Sequence, residues 1–243
     1  IKVALMKDKS YFELIERSWR SLLNRDFGTD DAAEDVMRGS IGLHLAQIRT
    51  DALEKGSGRP LDFGHEWGHW LETITNYDLT HGEAVAIGMA IDTVISCERK
   101  YLSEKDRDRI LTLIQATGLP IYNARATAES LWPVLEKFRV HLGGPLNIAL
   151  LRGIGVKEDV SELSKAELET AIAFLKSRSE AREKKLETGL LPSVENLGQL
   201  LNSADALVAE HPTLGKIVDV SRLKASLTAS QRDELAVRIA TLE

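Results

Sequence analysis

RPLDFGHEWGHWLETITNYDLTHGEAVAIGM, residues Arg59–Met89, contains three of the six histidines of this 243-residue chain. His65 and His69 are four residues apart, so on a helix they lie on one face. His81 precedes a new apolar helical run, and it reaches the same face if the chain turns back between Thr75 and Thr80. Converging imidazoles suit zinc or another divalent ion of borderline softness. The stretch therefore predicts a metal site; the alternative is two helix-surface histidines with a third at a cap.

The first block also spells H-E-x-x-H, from His65 to His69. In zinc proteases this pattern places two ligands and a general base on one helix. Two observations argue against a protease. Gly64 and Gly68 interrupt what would be the active-site helix, and neither an H-x-x-G-x-x-H continuation nor an E-x-x-x-D helix with a third ligand follows. A zinc metalloprotease is therefore the weaker alternative.

The whole stretch resembles the metal-binding core of the dehydroquinate synthase family, the sugar-phosphate cyclases. That family carries an N-F-G-H-x-x-G-H-x-x-E block followed by H-G-E-A-V-x-x-G-M, and both blocks occur here in order and at the family's spacing. The matching residues are Asp62–His65, Gly68–His69, Glu72, His81–Val85 and Gly88–Met89. The resemblance implies that His65 and His81 are metal ligands and that His69 is a catalytic residue beside the metal.

The first residues of the chain, IKVALMKD, are similar to the family segment E-[VI]-I-K-x-A-L-I. In the family the lysine contacts the substrate, which implies a catalytic role for Lys2. The glutamate three residues earlier is a metal ligand in the family, and here it would fall just before Ile1. Two histidines alone hold a metal weakly. A non-catalytic helical module, with idle or structural histidines, is therefore the main alternative function.

Two further residues near the first block are catalytic candidates. Arg59 lies six residues before His65 and would direct its guanidinium at the metal pocket, unless it is a solvated loop arginine. Asp62 stands where dehydroquinate synthases have asparagine. An aspartate only accepts hydrogen bonds, whereas an amide also donates them. This replacement favours the family branches that use sedoheptulose 7-phosphate or glucose 6-phosphate, while His69 suits a dehydroquinate-like chemistry.

Candidate substrate-binding residues come from two other segments. His44 corresponds by spacing to a substrate-facing lysine of the family; the alternative is a core histidine in an apolar helix. The segment Lys137–Gly155, KFRVHLGGPLNIALLRGIG, resembles the family's closing segment, whose two lysines bind the substrate phosphate. Arg139 and His141 are the nearest cationic residues here, and the resemblance implies this role for them.

Composition excludes several classes of protein. A net charge of −6 and a pI of about 5.6 argue against a nucleic-acid surface. No apolar run approaches the roughly 20 residues of a membrane span, and no signal peptide is recognisable. The single Cys97 excludes an internal disulfide and suits a reducing cytoplasm. We expect a cytoplasmic protein without a nucleic-acid or membrane partner.

Capped amphipathic patterns predict a mainly α-helical bundle with at most one short strand pair, the strand lying in LNIALL. The predicted helices are residues 1–24, 31–54, Thr80–Arg99, Ser103–Gly118, Thr127–Leu135, Ser164–Glu187, Val194–Ala209 and Thr228–Leu242. The segments Ser10–Glu13 and Ser164–Glu167 have the form of capping boxes. Residues 1–158 are predicted to form the metal-binding domain and residues 159–243 a helical C-terminal extension. The extension is expected to pack on the bundle or to form an oligomer contact, such as that of a homodimer.

The resemblance implies a metal- and NAD-dependent lyase acting on a sugar phosphate. In this family NAD transiently oxidises a hydroxyl, phosphate is eliminated, the ketone is reduced, and an intramolecular aldol reaction closes the carbocycle. A divalent metal, zinc or cobalt, is coordinated by the substrate's hydroxyls. NAD is bound by an N-terminal α/β domain, and this chain has no strand-G-x-G-x-x-G-helix unit. We therefore expect the chain to be the metal half of a two-domain enzyme, inactive alone, with its histidine face open to solvent.

Overall fold

The computed structural model describes residues 1–24, 31–50, 62–133, 135 and 148–185. Within these residues the protein is mainly α-helical with one antiparallel strand pair, which confirms the predicted fold class. The elements are α1 (Lys2–Lys7), α2 (Lys9–Asn24), α3 (Asp31–Thr50), α4 (His65–Ile74), α5 (His81–Glu98), α6 (Glu104–Ala116), β1 (Ile148–Gly153), β2 (Val156–Val160) and α7 (Lys165–Lys185). Residues 128–133 are also helical.

Helix α5 is the centre of the hydrophobic core. Every residue from Ala84 to Cys97 is buried, as the apolar residues on most of its faces predict. Its N-terminus is closed by a capping box: the Glu83 N–H donates to Thr80 Oγ1, and the Thr80 N–H donates to the Glu83 carboxylate. The box fixes the start of α5 at His81.

Helix α4 lies against α5 at short range because glycines occupy the crossing. Gly64 has a φ of 76°, in the region that favours glycine. A Cβ at Gly64 would lie 2.6 Å from the backbone nitrogen of Met89, and a Cβ at Gly88 would overlap the Gly64 carbonyl oxygen. The glycine that argues against a protease helix therefore allows α4 to pack on α5.

The N-terminal segment forms two helices instead of the single helix predicted for residues 1–24. The backbone leaves helical geometry at Asp8, where φ is −154° and ψ is 108°. The Asp8 carboxylate accepts a hydrogen bond from the Tyr11 N–H at 3.0 Å and so caps α2. The capping box predicted at Ser10–Glu13 is therefore wrong, because Ser10 already lies inside α2.

The strand pair attaches the N-terminal helices to the core. Strands β1 and β2 are antiparallel, and residues Ile148–Leu151 are buried, which confirms the strand predicted in LNIALL. The Leu151 N–H donates to Ser96 Oγ on α5 at 2.9 Å. At the turn, the Gly155 N–H donates to the Leu5 carbonyl oxygen at 2.8 Å, which places the turn against α1.

The chain divides into two compact units, Ile1–Ser179 and Glu180–Glu243. This division lies later in the chain than the predicted boundary between residues 158 and 159. The first part of α7 belongs to the first unit because Leu168, Ala171 and Leu175 are buried in its core. The predicted capping box of this helix is confirmed, since Glu167 accepts hydrogen bonds from both the N–H and the hydroxyl of Ser164.

Helix α3 differs from the expectation of an apolar buried face. Val36 is buried, but four large apolar side chains on this helix are exposed by 41–58%. They are Met37, Ile41, Leu45 and Ile48.

Four of the predicted helix ends or helices lie outside the described residues: 51–54, 186–187, Val194–Ala209 and Thr228–Leu242. Among the helices that the structure does describe, none combines the length and the apolar character needed to cross a membrane.

Candidate metal centre

Three histidines from two helices meet at one end of the α4–α5 pair. His65 and His69 lie on one face of α4, and His81 is the first residue of α5. The centroids of the three rings are 5.4 Å (His65 to His69), 5.3 Å (His65 to His81) and 5.4 Å (His69 to His81) apart. The cluster predicted from their spacing therefore forms, as a nearly equilateral triangle.

The loop between α4 and α5 reverses the chain as the cluster requires. Asn76 and Tyr77 both have positive φ, 56° and 61°. The Tyr77 N–H donates to the Glu72 carbonyl oxygen at 2.7 Å, which closes the C-terminal end of α4. Two successive left-handed residues turn the chain tightly, so that His81 comes back beside His69.

A carboxylate lies between two of the imidazoles. Glu72 Oε2 is 3.4 Å from Nδ1 of His69 and 3.2 Å from Nδ1 of His81. The Glu72 side chain is only 17% exposed, whereas His69 and His81 are 66% and 52% exposed. Among the described residues, His69, Glu72 and His81 are the group with three potential ligand atoms within 4.8 Å of one another. A histidine–carboxylate donor set of this kind suits zinc.

His65 is the most enclosed of the three histidines. Its Nδ1 lies 3.3 Å from the Phe63 carbonyl oxygen, and its Nε2 lies 3.4 Å from Nζ of Lys2. Burial, and then the Lys2 ammonium, lower the pKa of His65 to about 4, so the imidazole is neutral at pH 7. With the Nδ1 proton assigned to the Phe63 contact, the lone pair of Nε2 faces Lys2. His65 therefore presents an unprotonated nitrogen to a cation.

The face of the cluster opens onto solvent, as predicted for one wall of a cleft. His69 and His81 are both more than half exposed, and Lys2 lies beside His65. The catalytic role predicted for Lys2 stays a prediction. Asp62 is partly exposed and precedes Phe63 directly.

The remaining sequence candidates are placed only in part. His44 is exposed on α3, so the alternative that it is a buried core histidine is wrong. Its proposed contact with substrate stays a prediction. Arg59, Arg139 and His141 lie outside the described residues, and their roles also stay predictions.

Two buried carboxyl groups, Asp92 and Glu66, lie near the start of α4. The sequence interpretation gave Asp92 no role, and it gave Glu66 only that of the general base in the protease alternative. Asp92, on α5, is fully buried and accepts hydrogen bonds from the Gly64 N–H at 3.0 Å and from the Trp67 indole N–H at 2.7 Å. Glu66 is 3% exposed. Among the described residues its Oε2 has no hydrogen-bond partner. The sequence did carry a signal for these residues: Glu66 is an acid within H-E-x-x-H, and Asp92 is an acid within the apolar run of α5. Helical periodicity alone does not predict that the two side chains meet.

Burial raises the pKa of both acids. The pKa of Asp92 rises to about 7, although the Trp67 and Gly64 hydrogen bonds oppose the rise. The pKa of Glu66 lies well above its usual range because of burial and then the nearby Asp92 carboxyl. A general base of a protease must reach the metal-bound water. Glu66 is instead enclosed in the core, which argues against the metalloprotease alternative.

The described residues form a helical domain in which two packed helices bring together three histidines and a carboxylate that could hold a metal ion. The chain belongs to the family described as 3-dehydroquinate synthase C-terminal, whose model matches residues 1–138. This match confirms the resemblance stated from the two histidine blocks.

Known proteins similar to this chain are synthases by name. A 2-epi-5-epi-valiolone synthase from Actinoplanes sp. is 34% identical over 70% of this chain and 44% of its own length. A 3-dehydroquinate synthase from Acidithiobacillus ferrooxidans is 33% identical over 72% of this chain and 48% of its own length. The chain thus spans less than half the length of these relatives.

A solved structure shares the fold. The 2-epi-5-epi-valiolone synthase from Streptomyces hygroscopicus subsp. jinggangensis, with NAD+ and Zn2+ bound, is 31% identical. The match has a TM-score of 0.70 and covers 73% of this chain and 49% of that chain. The described helices therefore correspond to part of an enzyme structure that contains both a metal and NAD+.

Proposed function

We propose that this chain is the metal-binding half of a sugar-phosphate cyclase that uses NAD and a divalent metal, zinc or cobalt, to eliminate phosphate and close a carbocycle. The observation that carries the proposal is the convergence of three imidazoles, one carboxylate and one lysine at a solvent-exposed face. Membership of the 3-dehydroquinate synthase C-terminal family and the names of the relatives support it.

The donor atoms of the cluster fit a divalent metal. His81 belongs both to the ligand pair implied by the family resemblance, His65 and His81, and to the geometric group of His69, Glu72 and His81. Bound there, a metal would stabilise an alkoxide and polarise a carbonyl of the substrate. Glu72 would either bind the metal directly or hold His81 by its Nδ1, and in either role it sets the orientation of the ring.

Two other residues have roles that follow from their positions. His69 is exposed beside Glu72, where its imidazole could act as a general acid or base toward a bound substrate. Lys2 carries a fixed positive charge beside His65, where it would bind a substrate oxygen or phosphate. A proton carrier and a cation beside the metal are what an elimination of phosphate needs, because negative charge develops on the leaving group.

An NAD-binding half is the proposed partner of this chain. The Streptomyces relative has NAD+ bound, and the chain covers 49% of that structure. The described residues contain one antiparallel strand pair and no alternating strand–helix order of the kind that binds dinucleotides. We therefore propose that NAD binds to another part of the intact protein and that the isolated chain shows no turnover.

The deciding experiment measures phosphate release by the full-length protein with NAD, a divalent metal and each candidate sugar phosphate. Sedoheptulose 7-phosphate is expected to be used, because Asp62 replaces the asparagine of dehydroquinate synthases and so favours a different branch of the family. Glucose 6-phosphate and the dehydroquinate synthase substrate are the comparison arms. The His81→Ala protein is the control. Absence of metal-dependent phosphate release from all three substrates would reject the proposed activity.

A further inference from the structure

Asp92 closes the N-terminus of α4 although it belongs to α5. The first N–H groups of a helix have no partner within the helix. Gly64, the N-cap residue of α4, has no side chain to supply one. The Asp92 carboxylate accepts the Gly64 N–H at 3.0 Å and thus provides the cap from the neighbouring helix.

The second oxygen of Asp92 fixes the rotation of α4. Oδ1 accepts the Trp67 indole N–H at 2.7 Å, and both Asp92 and Trp67 are fully buried. Asp92 therefore holds α4 at two points. One is the backbone N–H of Gly64 at the helix start, and the other is the side chain of Trp67, the third residue of the helix. Rotation of α4 about its axis would break at least one of them.

His65 and His69 depend directly on that rotation. His65 follows Gly64 in sequence, and His69 lies one turn further along the same face. His81 is carried by α5, the helix that carries Asp92. Binding sites of this kind need their ligands within about 0.5 Å and 10–20° of the productive geometry. A rotation of α4 relative to α5 would separate the imidazoles.

From these contacts we propose that Asp92 is a positioning residue of the metal centre: it caps α4 from α5 and sets its rotation, so that His65 and His69 face His81. The inference rests on the proposed metal site, and it assigns a role to a buried acid outside the two histidine blocks. Asp92 does not contact the metal or the substrate in this role; it acts through α4.

The test compares three variants. Asp92→Asn keeps one acceptor oxygen but places an NH2 group against one of the two N–H donors. Ser96→Ala is the matched control, since Ser96 is a buried polar residue one turn further along α5. Its hydroxyl donates to the backbone carbonyl of Asp92 and accepts from the strand residue Leu151, and it does not accept from α4. The double variant Trp67→Phe/Asp92→Asn removes the indole donor, so that the asparagine oxygen is free to accept the Gly64 N–H.

Two readouts are measured on each protein, with folding followed by circular dichroism. The first is the set of nuclear Overhauser contacts among the ring protons of the three histidines in the metal-free chain. The second is the Kd for Co2+ from visible absorption. We expect D92N to lose ring contacts of His65 and His69 with His81 and to weaken Co2+ binding by about 10- to 100-fold, the range for residues that orient ligands. S96A should lower Tm and keep both readouts, and the double variant should recover the ring contacts.

A D92N protein that melts at a lower temperature yet keeps the ring contacts and the Co2+ affinity would overturn the inference. If D92N does not fold, Asp92→Glu replaces it, because it keeps the acceptor and moves the oxygens outward by one methylene; the same two outcomes apply. Failure of the proposed function is recognised separately. A wild-type chain that binds no Co2+ rejects the metal site, while the ring contacts of the metal-free variants still decide whether Asp92 sets the geometry.

Discussion

Nδ1 of His81 lies 3.2 Å from Oε2 of Glu72, although the two residues belong to different helices separated by a turn. The same carboxylate oxygen is 3.4 Å from Nδ1 of His69. A carboxylate that contacts two imidazoles keeps both rings in one orientation and lowers the cost of bringing a cation to them. Glu72 is therefore central to the proposed metal centre.

The first prediction concerns Glu72. Replacing it with glutamine removes the negative charge while keeping the size, and we expect the Kd for Zn2+ to rise by about 10- to 100-fold. Isothermal titration with Zn2+ on the isolated chain measures the change. Glu169→Gln is the matched control, because Glu169 is an exposed residue of α7 that pairs with Lys165. Equal Zn2+ affinities of the E72Q and E169Q proteins would remove Glu72 from the site.

The second prediction separates metal binding from substrate binding at Lys2. Its ammonium lies 3.4 Å from Nε2 of His65, so it repels a metal ion approaching that nitrogen. Lys2→Met is expected to bind Zn2+ more tightly than the wild type. In the full-length protein, the same substitution is expected to reduce phosphate release, since the substrate loses a cationic contact.

Lys7→Met is the control for Lys2→Met, because Lys7 is an exposed lysine at the other end of α1. It should change neither Zn2+ affinity nor phosphate release. Weaker Zn2+ binding by the K2M chain would show that Lys2 supports the metal site instead of competing with it.

The third prediction concerns the crossing of α4 and α5. A methyl group at Gly88 would overlap the Gly64 carbonyl oxygen, so Gly88→Ala must push the helices apart. We expect the free energy of unfolding to fall by about 1–3 kcal/mol, as for other overpacked cores, and the Kd for Zn2+ to rise. Urea denaturation and Zn2+ titration measure the two effects.

The control for this prediction lies on the same helix. A Cβ at Gly82 meets nothing within 4 Å. Gly82→Ala is expected to be neutral or to stabilise the chain by up to about 1 kcal/mol, because alanine has the higher helix propensity. Similar destabilisation by both alanines would mean that helix packing at Gly88 is not the cause.

The fourth prediction is a pH dependence that comes from α7. Arg99 donates to both carboxylate oxygens of Glu167, at 2.6 and 3.1 Å. These hydrogen bonds, opposed by partial burial, lower the pKa of Glu167 from 4.5 to about 2. Because the folded-state pKa lies below the unfolded-state value, the pair stabilises the protein above pH 4.5, and this stabilisation is lost as the pH falls toward 2.

Glu167→Gln is expected to lower the free energy of unfolding by about 1.5–3 kcal/mol at pH 7, the range for hydrogen bonds to charged groups. The difference from the wild type should shrink between pH 4.5 and 2. Urea denaturation at several pH values checks this, with Glu169→Gln as a control for an exposed pair. A difference that stays constant down to pH 2 would contradict the assigned cause.

Several features of the site followed from sequence alone because they are local. The spacing of His65 and His69 places both on one helix face whatever the rest of the fold does. The apolar residues of α5 predict its burial, and LNIALL predicts a strand; both are confirmed. The family resemblance also came from local blocks, and it is confirmed by the match over residues 1–138.

Other features depended on residues far apart in sequence. Lys2 and His65 are separated by 63 positions, and Gly64 and Asp92 by 28. The sequence predicts one helix over residues 1–24, whereas the folded chain breaks it at Asp8, whose carboxylate caps α2. The hydrogen bond from Gly155, in the turn between β1 and β2, to Leu5 on α1 also joins residues far apart in sequence, and it forms only in the folded chain.

The sequence by itself determined which residue types the candidate site can use, three histidines in two blocks, and the family to which the chain belongs. The tertiary structure decided which groups meet. It placed Glu72 between His69 and His81, brought Lys2 to His65, and buried Asp92 under the start of α4. The physical reason is that helical periodicity fixes only the direction of side chains along one helix. The distance between two helices is set by the glycines at their crossing and by the left-handed turn between them, and these act only once the core has packed.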